Sequence, residues 1–137
     1  MSNDADIIRT ITDKGFIGGD LGTIEDLVSP SFVSHDPPPG FGADRDGLLG
    51  VAAEVTRALS DRRMELDEFV DTTDGRVVEN WTMVARHDED IFGLPASGQE
   101  VRVRGIELWR CEDGRVVEHW GAIDIGDLAE KSLGAAG

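Results

Sequence analysis

Residues 101–124 constrain the fold more than any other stretch: Val-Arg-Val-Arg-Gly-Ile-Glu-Leu-Trp-Arg-Cys-Glu-Asp-Gly-Arg-Val-Val-Glu-His-Trp-Gly-Ala-Ile-Asp. Two β-rich runs flank Asp113-Gly114. That dipeptide suits a tight hairpin, because a type I′ turn needs positive φ at both central positions. Side chains alternate faces along a strand. Glu107 and Trp109 therefore share one face of the first strand, and Trp120 and Asp124 one face of the second. A carboxylate beside indole rings is a candidate buried acid or base. The remainder of the chain reads as the wall and lid of that face.

A second hairpin echoes the first. Residues 74–81 read Asp-Gly-Arg-Val-Val-Glu-Asn-Trp and residues 113–120 read Asp-Gly-Arg-Val-Val-Glu-His-Trp. Two copies are too few for a solenoid, so they fit two similar hairpins of one antiparallel sheet. On that basis Trp81 and Trp120 occupy equivalent places, with Met83, Ala85 and His87 following Trp81 on its face.

Upstream, apolar spacing predicts helices over Asp4–Lys14, broken at Gly15 and Gly18-Gly19, and over Leu21–Val28, ended by Pro30. Phe32 to His35 is a brief extended piece. Asp36 to Asp44 holds three prolines and two glycines around Phe41, a shaped loop that either docks on the core or closes over a pocket. Asp44–Leu59 has the longest helical periodicity. Arg63–Asp71 reads as a bulged strand, Asp88–Gly98 as a loop and Asp127–Leu133 as a closing helix. The tail from about Gly134 is expected to fray. Helices precede a meander of strands, so the class is α+β rather than parallel α/β. Helices on the concave side of a curved antiparallel sheet enclose a cavity. The 137 residues suit a single domain, 1–137.

The net charge of −15 argues against nucleic acid and anionic membrane surfaces as partners. No apolar run is long enough to span a bilayer and no leader pattern is present, which makes the cytoplasm the expected location. The lone Cys111 excludes an internal disulfide, and no Cys/His cluster has zinc spacing.

From Phe32 to Leu133 the chain resembles the SnoaL-like polyketide cyclase branch of the nuclear transport factor 2-like superfamily. The resemblance is carried by Ser34-His35-Asp36-Pro37, by Leu59-Ser60-Asp61, and by His87 followed by Phe92-Gly93-Leu94-Pro95-Ala96-Ser97-Gly98. It continues through Arg104–Arg110, Asp113–Trp120 and Asp124. It implies a cone-shaped fold and an intramolecular aldol ring closure without metal or cofactor. A buried aspartate at Asp124 would act as acid and base, and His87 would line the pocket. It also implies a homodimer through the outer sheet face. Where the founding member has a glutamine and a histidine, this chain has Gly105 and Glu107.

Removing a ketone α-proton needs a base near that proton and a donor for the enolate oxygen. Burial raises a carboxyl pKa and makes it a better base. Asp124 is the expected catalytic group; its alternative is a surface aspartate capping the last helix. Glu107 would pair with Asp124 in one cavity, the two carboxyls forced to share a proton; its alternative is cross-strand pairing with an arginine. His87 and His35 would hold or protonate an oxyanion. His119 faces away from the cavity unless a bulge intervenes. Trp81, Trp109, Trp120, Phe16, Phe41 and Met83 would wall a hydrophobic, polyketide-like substrate. Isomerisation, dehydration or cofactor-independent hydroxylation would use the same site. The non-catalytic alternative is a small-molecule-binding or dimerisation module.

Overall fold

The computed structural model describes residues 3–136. In chain order these form α1 (Asn3–Thr10), a π-helical continuation (Ile11–Ile17), α2 (Leu21–Leu27), β1 (Val28–Ser34), α3 (Arg45–Ala58), β2 (Leu59–Asp71), β3 (Arg76–His87), β4 (Glu100–Glu112), β5 (Arg115–Asp124) and α4 (Gly126–Ala136). The strands make one mixed sheet in the order β1-β5-β4-β3-β2. The expected meander is β2 to β5. It gains a fifth strand, β1, which pairs in parallel with β5 and places Ser34 beside His119. Pro30 lies inside β1 and α2 ends at Leu27, before it. An edge strand tolerates a residue without an N–H, which is why proline fits there.

The first helix does not break at Gly15. It widens into a π-helix that runs to Ile17 and aims Thr12 and Phe16 at the sheet. Gly15 is the contact point for Ile24, whose Cγ1 would lie 2.5 Å from any added Cβ. Where this helix ends, Arg62 gathers four carbonyls. Nε donates to Phe16 O (2.9 Å), one terminal nitrogen to Ile17 O (3.0 Å) and the other to Thr56 O (3.2 Å) and Leu59 O. One side chain thereby satisfies the open ends of two helices. Asp20 and Asp44 cap α2 and α3 by accepting from Thr23 N and Gly47 N. The last helix continues through Ala136, beyond the expected fraying from Gly134, and Gly137 lies outside the described residues.

The two near-identical octapeptides fold differently, and this decides which residues face inward. In the β2–β3 hairpin Thr72 N donates to Arg76 O, so Thr73, Asp74 and Gly75 form the loop. In the β4–β5 hairpin Asp113 and Gly114 alone turn the chain, with φ of 51° and 78° as a type I′ turn requires. Register then slips by one: Cys111 pairs with Val116 but Arg110 pairs with Glu118, leaving Val117 as a bulge. A one-residue slip moves every following side chain to the other face. Glu79 and Trp81 thus point inward, whereas their counterparts Glu118 and Trp120 point outward and His119 turns in. The expected equivalence of Trp81 and Trp120 is corrected by that bulge.

Apolar side chains fill both ends of the concave face. Ile8, Ile11, Ile24, Phe32, Trp109 and buried Cys111 pack under the first helices, and Val51, Val55, Met83, Val103 and Leu128 under α3 and α4. Among the described residues no helix is long and apolar enough to cross a membrane.

Candidate active site

A cavity of about 440 Å³ opens on the concave face and draws its walls from both clusters. Its size suits a small organic ligand. The apolar lining includes Phe16, Trp81, Met83, Val103, Trp109 and Leu128, and Asp36 to Pro39 wall its rim. Of the charged or titratable lining groups, Asp36, Glu79, Glu107 and His119, none is a lysine or an arginine.

These groups follow from strand parity. Glu79 on β3 and Glu107 on β4 are direct cross-strand partners, and Glu107 pairs in turn with Gly121 on β5. All three face the cavity, two residues along β5 from His119. Two glycines make room for the polar contacts. A Cβ on Gly105 would meet the Trp81 indole at 2.3 Å, so glycine there lets the indole cross β4. A Cβ on Gly121 would lie 3.0 Å from His119 Nε2 and 2.9 Å from Glu107 Cγ.

The indole so placed donates from Trp81 Nε1 to Glu107 Oε2 (3.0 Å), and His119 Nε2 reaches Glu107 Oε1 (3.3 Å). On the other side of the ring, His119 Nδ1 meets Ser34 Oγ at 3.0 Å. The ring also lies against Trp109, centroids 4.4 Å apart. In the tautomer that donates from Nε2 to Glu107, the ring turns its other nitrogen toward Ser34. Nδ1 of the neutral ring is then an acceptor for the Ser34 hydroxyl. His119 thus presents a basic lone pair inside the cavity and has a negative group behind it to steady the imidazolium.

Glu79 is 1% exposed and accepts from Thr12 Oγ1 at 2.8 Å. Burial first, and then the charge of Glu107, push its pKa up to about 9, so its carboxyl is neutral at pH 7. Asp67 lies near it on β2, and its pKa is itself raised, chiefly by burial. Glu107 therefore does share a cavity with a second carboxyl group, as its alternation predicts. The partner is Glu79, not Asp124.

Asp124 lies outside this chamber. It is exposed on the opposite face of β5, and its Oδ1 accepts from Gly126 N at 2.8 Å, capping α4. The expectation of a buried Asp124 is corrected, and the physical reason is the Val117 bulge. His87 is fully buried but does not line the cavity. Its Nδ1 accepts from Ser97 N (3.3 Å), its own N–H donates to Gln99 O and its carbonyl accepts from Gly98 N, so it ties down the loop that follows β3. His35 is also outside. It stacks on outward-facing Trp120, centroids 4.6 Å apart, and bonds Glu118 at 2.7 Å. Phe41 docks edge-on against Phe92 at 6.3 Å, as a loop anchor rather than a wall of the cavity. The structure brings Glu107, Trp81, Trp109, Phe16 and Met83 together at the cavity; it does not bring Asp124, His87, His35, Trp120 or Phe41 there. Glu79 and Ser34 were not anticipated from sequence. Glu79 carried a signal, since it alternates in phase with Trp81, Met83 and Ala85. Among the described residues no cluster of three or more His, Cys, Asp or Glu side chains is arranged to hold a metal ion.

An α+β cone with a polar cluster at the floor of an apolar cavity defines the class: the nuclear transport factor 2-like small-molecule fold. The sequence profile of the SnoaL-like polyketide cyclase family matches residues 6–130, and the chain belongs to that family. Among solved structures it is similar to IdmH, a candidate polyketide cyclase of Streptomyces antibioticus, with 28% identity over 97% of this chain and 99% of that one (TM-score 0.78). AclR, a candidate hydroxylase of Streptomyces galilaeus, shares the fold at 23% identity, 98% coverage of both chains and a TM-score of 0.83. So does a candidate polyketide cyclase of Acidithiobacillus ferrooxidans, at 22% identity, 98% and 96% coverage and a TM-score of 0.81. No curated protein matches the sequence.

Proposed function

We propose that the protein closes a ring in a hydrophobic, carbonyl-bearing substrate of polyketide type by an intramolecular aldol reaction, without a cofactor, and that His119 is its general base. The observation that carries this is the His119 imidazole held between Glu107 and Ser34 inside the apolar cavity. The substrate enters past the Asp36–Pro39 rim and lies against Trp81, Phe16 and Met83. Its α-proton passes to Nδ1, taking the place of the Ser34 hydrogen bond, and Glu107 stabilises the resulting imidazolium. A lining without lysine or arginine favours an uncharged substrate over a free carboxylate or phosphate.

The same reading includes a homodimer and a cytoplasmic setting. The outer sheet face carries an apolar groove between Val78, Ile106, Leu108 and Trp120, and Ile106 is 55% exposed. A second copy of the chain is the occupant proposed for it.

The test uses a linear phenyl triketone as probe. Wild type is expected to close it to a phenol, and His119→Asn to lose about 100-fold or more in rate, the range of a positioned base. Asp124→Asn is expected to keep the wild-type rate. An unchanged rate in His119→Asn with a loss in Asp124→Asn would overturn the assignment of the base.

A further inference from the structure

We propose that Glu79 is a second catalytic group, the acid that delivers a proton to the oxygen of the ring-closing carbonyl, and that Asp67 links it to solvent. This rests on the function proposed above and names the proton donor which that reading lacks.

The argument begins with placement. The base and the candidate acid stand on the same concave face, His119 on β5 and Glu79 on β3, with Glu107 on the strand between them. Adjacent strands are about 4.8 Å apart, so side chains two strands apart flank a ligand rather than contact each other. An aldol closure requires this separation of roles. The carbon that loses a proton and the oxygen that gains one are different atoms, brought together by the new bond. Glu107 cannot be the donor, because it already accepts from Trp81 and His119. Thr12 and Ser34 are hydroxyls, far weaker acids than a carboxylic acid, and their hydrogens are directed at Glu79 and at His119. Glu79 is the remaining group on the floor with a proton to give.

Two neighbours shape it for that task. Thr12 Oγ1 comes from the π-helical segment, a local irregularity that often marks functional positions, and occupies one Glu79 oxygen. Asp67 stands near the carboxyl on β2, half-buried, with its Oδ1 buried and without a hydrogen-bond partner. The charged groups around the pair are Glu107 on the sheet and Asp13 and Arg9 on the first helix. Asp13 is exposed.

The proton balance is complete. The α C–H bond breaks, its proton goes to His119 Nδ1 and its electron pair forms the enolate. The enolate carbon attacks the second carbonyl carbon, a C–C bond forms, and the alkoxide takes the proton of Glu79 to give a β-hydroxy ketone; the phenol read in the assay forms when that hydroxyl leaves as water together with one further α-proton. A proton from solvent returns to Glu79 by way of Asp67, and the His119 imidazolium releases one through the cavity mouth. Net proton change is zero and no oxidant or reductant is needed.

The experiment separates the two halves with one probe. With the phenyl triketone, exchange of α-hydrogens for deuterium in heavy water reports the base, and phenol formation reports the whole reaction. Infrared spectra of the unliganded protein report the carbonyl stretch of a protonated carboxylic acid. Wild type is expected to show that band at pH 7 and Glu79→Gln to lack it. Glu79→Gln, whose amide copies the shape of the neutral acid and so keeps the fold, is expected to retain α-exchange within about threefold and to lose about 100-fold in ring closure. Asp67→Asn is expected to slow closure about tenfold and leave exchange unchanged. Ring closure at the wild-type rate in Glu79→Gln, or no carboxylic-acid band at pH 7, overturns the role of Glu79 and leaves that of His119 standing. A wild type that neither exchanges nor closes the triketone overturns the cyclase reading and this role with it.

Discussion

Replacing Glu79 by glutamine is expected to stabilise the protein, by an amount that grows with pH. The carboxyl is held near pKa 9 in the folded chain against an ordinary 4.5. Between those values the folded state keeps a proton that the unfolded chain releases, so stability falls as pH rises through that window. The contribution is fully present below about pH 4.5 and lost by about pH 9. Each pH unit inside the window costs about 1.4 kcal/mol. From pH 5 to pH 8 the ceiling is about 4 kcal/mol, and sharing of the proton with Asp67 and Glu107 reduces it to about 2 kcal/mol. Glutamine cannot ionise. Its carbonyl still accepts from Thr12 Oγ1, so that native contact persists. Urea unfolding of both proteins at pH 5, 6, 7 and 8 should give nearly equal midpoints at pH 5 and a gap of about 2 kcal/mol in favour of the variant at pH 8. In thermal melts that is about 6–10 °C. A gap that stays constant with pH, or a variant less stable at every pH, would refute the claim that Glu79 is held neutral. A variant that is more stable at pH 8 and loses ring closure would show that the group weakening the fold is the one the proposed reaction needs.

Gly121→Ala should push His119 away from Glu107, since its Cβ would stand 3.0 Å from Nε2; about a tenfold or greater loss of ring closure is expected, with a destabilisation of about 1–3 kcal/mol read by denaturant. Arg62→Met should leave helix-end carbonyls without donors and lower stability by about 2–4 kcal/mol, with α-exchange rates intact in the folded fraction. Asp124→Ala removes the bond to Gly126 N and should cost about 1 kcal/mol in unfolding while leaving turnover alone. Ile106→Glu should shift sedimentation from dimer to monomer; a wild type already monomeric at micromolar concentration would remove the outer face as an interface.

Local chemistry was readable in advance wherever a single segment decides its own structure. Asp44 caps the helix that its 3.6-residue periodicity predicts, Asp113-Gly114 makes its turn, and the alternation of β4 places Glu107 and Trp109 inward. Features that depend on distant partners were not readable. β1 joins the sheet by pairing with a strand more than 80 residues away, and nothing in Val28–Ser34 names that partner. The bulge at Val117 has no mark in its own residues, because the same tripeptide at Arg76–Val78 pairs without a slip. That one residue moved Trp120 and Asp124 out of the cavity and His119 into it. Glu79 was legible as a carboxyl on an otherwise apolar face, but its neutral state arises from burial under the folded chain and then from the charge of Glu107 on the next strand.

The bulge has a consequence for how relatives of this chain are compared. Whether a residue of β5 meets substrate depends on a count of backbone atoms from the turn, not on the residue itself. Excising Val117 would rotate the rest of the strand by half a turn, turning an indole and an aspartate toward the cavity where an imidazole now stands and placing the imidazole on the outer face of the sheet. A lineage could exchange the group that faces the cavity through one codon of length change without substituting any of the side chains involved. Active-site inventories copied column by column from an ungapped alignment would mistake such an exchange for a lost enzyme.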